Sequence, residues 1–142
     1  MPDRHTSKQR SYNMSQIKSK DTKPETLLRK LLFKEGFRYR INDRKLPGKP
    51  DIVLKRYNTV IFVNGCFWHG HQDCRYFVMP KTRTEFWMDK INGNRKRDLR
   101  NIFQLKEAGW NVITVWECEL KKIRIEETLI QLIPKIKGAS AE

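Results

Sequence analysis

The stretch Gly65–Cys74, GCFWHGHQDC, places two cysteines, two histidines and two adjacent large aromatics within ten residues. Thiolates and imidazoles at such short spacing suit a tetrahedral zinc ion. Cys66, His71 and Cys74 offer three ligands from one loop. Cys118, just beyond the last expected strand, is available as the fourth, because strand ends meet at one edge of a sheet. Four protein ligands make a structural site, whereas a catalytic zinc keeps one position open. His69 competes with His71 for the ion, and the bland alternative is three reduced thiols with surface histidines. If zinc takes His71, His69 is left over for acid–base work. Asp51, directly after Pro50, is either a turn residue or an oxygen ligand for a hard ion such as Mg²⁺. A metal-bound water, an imidazole and a basic surface together describe phosphodiester hydrolysis. A non-catalytic DNA-binding zinc module is the competing reading.

These groups need a scaffold, and 142 residues with 38% hydrophobic content allow one domain with a real core. Thirty Lys and Arg against sixteen Asp and Glu give a net charge of +14, which calls for a polyanionic partner. No run of about 18 apolar residues is present, so no membrane span is expected. The N-terminus lacks an apolar signal core, so a cytoplasmic protein is expected. Three cysteines are an odd count for a disulfide framework and fit metal binding or free thiols better.

Residues 1–20 are polar and basic and read as an arm or a short helix. The expected domain covers 21–137, with a frayed tail at 138–142. Thr22-Lys23-Pro24-Glu25 is a capping-box helix start. Leu27, Leu28, Leu31 and Leu32 then form an apolar stripe, and Gly36 is the stop. Glu25 is most simply a capping residue. Phe37–Ile41 alternates as a half-buried strand, and Asp51–Leu54 and Thr59–Val63 read as central strands. A second capping box at Thr82–Glu85 opens a helix to Ile91 carrying Phe86, Trp87 and Met88. Asn92-Gly93-Asn94 is expected to break or kink it. Helix resumes over Arg95–Ala108 with Leu99, Ile102, Phe103 and Leu105 inward. Trp110–Trp116 is a fourth strand and Ile125–Ile136 a terminal helix. Helices covering a mixed central sheet make a compact α/β domain.

Five landmarks occur in order: RSYNMSQIKSKDTKPE, LPGKPDIV, VIFVNGCFWHGH, TRTEFW with INGNRKRD, and GWNVITVWEC. Together they resemble the very-short-patch repair (Vsr) DNA mismatch endonucleases, from about Arg10 to Cys118. The resemblance implies a type II restriction endonuclease-like core related to the PD-(D/E)xK nucleases, with Pro50-Asp51 as the surviving PD half. It implies Asp51 and the backbone carbonyl of Val63 as Mg²⁺ ligands, His69 as general base and Glu25 as a supporting carboxylate. It assigns the structural zinc to Cys66, His71, Cys74 and Cys118. Phe67, Trp68 and Trp87 are the implied wedge into the base stack; core packing is their alternative use. Unstacking is least costly at a mismatch, so apolar wedges fit that task. Position 64 is Asn, where some relatives place a second histidine, so Asn64 is not counted as essential.

The implied activity is Mg²⁺-dependent nicking 5′ to the thymine of a T·G mismatch, the lesion left by deaminated 5-methylcytosine. Implied partners are mismatched duplex DNA, a cytosine methyltransferase system and downstream repair enzymes. The expected form is a monomer acting at the bacterial nucleoid. A restriction-type nuclease acting on matched DNA would share the fold, but the adjacent wedge aromatics argue against it.

Overall fold

The computed structural model describes residues 22–138. The expected N-terminal arm over 1–20 and nearly all of the expected tail lie outside them. In chain order the elements are α1 (Lys23–Lys34), β1 (Arg40–Ile41), β2 (Ile52–Leu54), β3 (Thr59–Asn64), α2 (Thr84–Glu107), β4 (Asn111–Trp116) and α3 (Ile125–Gly138). Short 3-10 turns follow β2 at Lys55–Tyr57 and β4 at Glu117–Leu120.

Helix α1 begins as its sequence dictates: Thr22 is the N-cap, and its hydroxyl accepts from the Glu25 N–H at 3.4 Å. It ends in a Schellman closure, with Gly36 N–H donating to Phe33 O and Phe37 N–H to Leu32 O, both at 3.0 Å. That closure explains why the strand expected over Phe37–Ile41 shortens to Arg40–Ile41. The Phe37 N–H is already used by the helix, and its ring is buried in the core.

The four strands form one mixed sheet in the order β1-β2-β3-β4. β1 and β2 run antiparallel, as do β2 and β3, whereas β3 and β4 are parallel, with Val63 opposite Val115 and Asn64 opposite Trp116. A parallel neighbour needs a crossover, and α2 supplies it. Period-two alternation sends Ile52, Leu54, Ile61, Val63, Ile113 and Val115 into the larger core with Leu28, Leu32, Leu132 and Ile136. Val53 and Val60 face the other way, where Leu105 of α2 covers them with Phe62 and Val112 alongside. Thus α1 and α3 pack on one face of the sheet and α2 on the other.

Helix α2 departs from the sequence reading in three ways. It begins at Thr84, with Arg83 as a left-handed N-cap that makes no side-chain cap bond, so the Thr82–Glu85 box does not form. The Thr84 hydroxyl instead donates to Pro80 O at 3.0 Å. The helix also runs unbroken through Asn92-Gly93-Asn94. An interior glycine costs a helix about 1 kcal/mol relative to alanine, which tertiary bonds from the next turn can offset. Finally, Leu99 and Phe103 point outward, 69% and 64% exposed, while Ile91 and Leu105 are buried. The inward stripe is Ile91, Asn94, Arg95, Asp98, Asn101, Ile102 and Leu105, apolar at its ends and polar in the middle. Among the described residues no helix is long and apolar enough to cross a membrane.

Candidate active site and metal centre

Parallel pairing of β3 and β4 builds the first half of the metal centre. Cys66 lies two residues past Asn64 and Cys118 two past Trp116, so the register that pairs 64 with 116 brings the two thiols together. The chain then turns back on itself, with His71 N–H donating to Cys66 O at 2.9 Å. This delivers His71 and Cys74 to the same point. One ligand atom from each of Cys66, His71, Cys74 and Cys118 lies within 4.8 Å of the others. Cys118 Sγ is 3.5 Å from His71 Nδ1, against about 3.6 Å expected for sulfur and nitrogen sharing a tetrahedral zinc. The His71 ring stacks on Trp116, centroids 4.0 Å apart and planes 5° from parallel, which fixes its orientation.

Burial and mutual contact shift the four groups in different directions. Burial pushes the Cys66 thiol up to about 12 and also raises Cys118. Burial acts upward on Cys74 as well, but the N–H of Tyr76 and the neighbouring thiols outweigh it and leave Cys74 lowered. Burial lowers His71, favouring the neutral imidazole that a metal requires. The donor set is therefore Cys₃His with no open protein position. The separate reading of His69 as a ligand is corrected here, because its ring is held elsewhere.

Helix α2 holds the loop between the ligands by three anchors. Asn94 Nδ2 donates to Trp68 O at 2.7 Å, Arg95 donates through Nε to Gly70 O at 3.1 Å, and His69 Nδ1 lies 2.6 Å from Asp98 Oδ2. Gly70 is required at this contact: it has φ +61°, and a Cβ would lie 2.5 Å from Arg95 Nε. The first of these anchors, Asn94, lies in the stretch that the sequence reads as a helix break, and the other two follow within the next turn. With Nδ1 engaged by Asp98, the imidazole has Nε2 left for substrate.

Asp51 continues the parity of Val53 and so opens on the α2 side of the sheet. β3 extends past the end of β2, and its Val63 N–H, which has no ladder partner there, donates to Asp51 Oδ2 at 2.6 Å. Because the N–H and C=O of one strand residue point to the same side, the Val63 carbonyl also leaves the strand toward Asp51. Glu25 is buried at 3% exposure and accepts from Arg29 at 3.2 Å. Burial pushes the Asp51 carboxyl up to about 7; the Val63 N–H opposes this, the Glu25 carboxylate adds to it, and Arg29 opposes it. Glu25, Asp51, Val63, Asn64, His69 and Asp98 line one cleft of about 430 Å³. These are hard oxygen donors and one imidazole, a set suited to Mg²⁺ rather than zinc. Asp51 thus lines the cleft and is bonded to β3.

A second cavity, of about 540 Å³, shares Glu25, Val63, Asn64 and His69 as a common wall and is lined on its far side by Phe67 and Trp68. Trp87, from the first turn of α2, joins them: Phe67–Trp68, Phe67–Trp87 and Trp68–Trp87 centroids are 5.3, 5.5 and 5.8 Å apart. All three rings are half-buried and none belongs to either apolar core. They pack on one another and on Phe77 and Phe86 in a cluster separate from both cores.

Every site residue expected from the sequence falls in one of these neighbouring groups. Asp98 is the site residue the sequence reading missed, since it is one of many charged positions on α2 and lies 29 residues from His69. The available signal was the polar middle of an otherwise apolar helical stripe.

Comparison with known proteins bears on this geometry. A family model described as DNA mismatch endonuclease Vsr matches residues 2–76. A type II nicking enzyme, V.NmeAIP of Neisseria meningitidis, is 51% identical over 140 residues, 98% of this chain and 99% of its own. The DNA mismatch endonuclease Vsr of Escherichia coli is 49% identical over 85% of this chain and 77% of its own. A type II nicking enzyme of Xanthomonas oryzae, V.XorIIP, is 44% identical over 94% of this chain and 97% of its own.

Proposed function

The chain belongs to the DNA mismatch endonuclease Vsr family and is a strand-nicking DNA endonuclease, and from this premise we propose that it nicks one strand 5′ to the thymine of a T·G mismatch, with Mg²⁺, to begin very-short-patch repair of deaminated 5-methylcytosine. The observation that carries the reading is the single cleft on which both the Asp51 carboxyl and the His69–Asp98 pair open. An acid at the start of β2, beside the longer β3 that runs antiparallel to β2 and parallel to β4, is in keeping with a restriction endonuclease-like core.

Asp51 and the Val63 carbonyl would hold Mg²⁺, with Glu25 supporting Asp51 from α1. Bound there, the ion would supply charge stabilisation at the scissile phosphate and a lowered pKa for water. His69 Nε2 removes the proton of the attacking water while Asp98 holds Nδ1–H and stabilises the imidazolium that forms. The water oxygen bonds to phosphorus and the bond from phosphorus to the leaving sugar oxygen breaks. Phe67, Trp68 and Trp87 enter the stack at the mismatch, where unstacking costs least. Cys66, His71, Cys74 and Cys118 hold zinc and fix the loop that carries His69 and the wedge.

The test is a labelled duplex with one T·G pair beside its matched control, with and without Mg²⁺. The expected result is Mg²⁺-dependent nicking of the mismatched duplex alone. Asp51→Ala should lower the rate at least about a thousandfold, and His69→Ala about 10²–10⁴-fold. Equal cutting of matched DNA, or full activity in either variant, would overturn the assignment. Salt-sensitive binding with no nick under any divalent ion would instead identify a DNA-binding module.

A further inference from the structure

The loop between β1 and β2 packs against α2 and contributes Asn42, Arg44, Gly48 and Lys49 to the lining of the cleft. Its C-terminal end is held on both sides of Lys49. Gly48 (φ +76°) lies so close to α2 that a Cβ there would be 2.9 Å from Asn101 Nδ2. On the other side Pro50 is fully buried. Between them Lys49 is held at φ +49°, with its N–H donating to Leu46 O at 3.1 Å. That left-handed backbone disfavours any residue with a Cβ, and conformations of this kind concentrate at functional sites.

The charges on this loop behave unlike the other cations at cavities. In the cavity behind the metal centre, Arg75 bonds Tyr76, Lys121 lies over the Tyr76 ring and Arg124 approaches Cys118. Arg44 and Lys49, by contrast, make no side-chain hydrogen bond, ion pair or ring contact among the described residues, although Glu25, Asp51 and Asp98 line the same cleft. A cation on a pinned loop beside carboxylates it does not neutralise is placed for an anion that comes from outside.

We propose that Arg44 and Lys49 form a phosphate-binding rim that holds backbone phosphates flanking the bond to be cut. This rests on the nuclease reading above. Guanidinium and ammonium groups both bind phosphate in this way, and such contacts position the duplex without reading its sequence. The rim fixes one strand across the cleft, so that the phosphate between two held neighbours falls over Asp51.

Each phosphate contact made by a cation contributes about −0.9 to the slope of log binding constant against log salt on duplex DNA. Binding of a labelled T·G duplex is measured over a salt series without added Mg²⁺, so that the duplex stays intact, and nicking is assayed separately with Mg²⁺. Arg44→Ala and Lys49→Ala should each flatten the slope by about 0.9 and the double variant by about 1.8. Lys135→Ala, an exposed site on α3 across the sheet, should leave it unchanged. Lys49→Arg should retain the wild-type slope. Lys49→Gly should flatten it while melting at or above the wild-type temperature, because glycine relieves the left-handed backbone. A structural role for Lys49 predicts the opposite pairing. An unchanged slope in the double variant, with wild-type nicking intact, would overturn the rim alone. Absence of both binding and nicking in the wild type would overturn the nuclease reading with it.

Discussion

Two sites share one ten-residue loop, yet their environments differ in almost every respect. The Cys₃His centre is closed: soft donors converge from β3, β4 and the loop, and no protein position is left open. The cleft is different: hard carboxylates and one imidazole face a cavity of about 430 Å³. His69 and His71 are two residues apart and belong to different sites because different elements hold their rings. His71 is stacked on Trp116 and aimed at sulfur, whereas His69 is bonded to Asp98 on α2. A histidine's function here is set by what orients its ring.

The largest expected effect tests the closed site. Cys118→Ser, or removal of metal with a chelator, should lower the melting temperature by about 10 °C or more, with nicking lost as a consequence. Metal content and a thermal melt check this together. Full metal occupancy and normal melting in Cys118→Ser would break the distinction between the two sites.

A smaller effect tests orientation in the cleft. Asp98→Asn should slow single-turnover nicking about 10- to 100-fold with little change in duplex affinity. The loss should be smaller than for a fully buried triad carboxylate, because the His69 and Asp98 side chains are 29% and 27% exposed and water reaches them. Weakened duplex binding at an unchanged rate would show that Asp98 merely holds the loop.

The smallest effect is pH-dependent and separates hard from soft donors. The Asp51 carboxyl, raised by burial to about 7, binds a proton in the folded protein that it releases near pH 4 when unfolded. Its contribution to metal-free stability is therefore full below about pH 4 and is lost as pH rises through 7. Mg²⁺ competes with that proton, so its apparent affinity should fall about tenfold per pH unit below 7 and level off above. Calorimetric Mg²⁺ titrations between pH 5.5 and 8 check the sign. An affinity independent of pH would show that Asp51 is not the titrating ligand.

Much of this arrangement was legible in the residues. Thr22 and Gly36 bracket α1, and the nearly all-apolar run 59–63 marks a central strand whose two faces enter two cores. The four soft donors were legible because few other uses gather three thiols and an imidazole at one sheet edge. Helix α2 was read less well. Counting apolar residues put Leu99 and Phe103 inside, although the inward face is the one carrying Asn94, Asp98 and Asn101 toward the site. The break expected at Gly93 fails for the same reason, since anchors that bind the loop also hold the helix.

The sequence by itself determined most of the elements, the donor types and the distinction between soft and hard ligands, because these follow from local propensity and side-chain chemistry. Only the tertiary structure decided which groups meet. The parallel register joins Cys66 to Cys118, the overhang of β3 past β2 presents Val63 to Asp51, and the packing of α2 brings Asp98 to His69. Those pairings span 52, 12 and 29 residues. Contacts between residues so far apart along the chain are fixed by how the helices and strands pack, which no local pattern encodes.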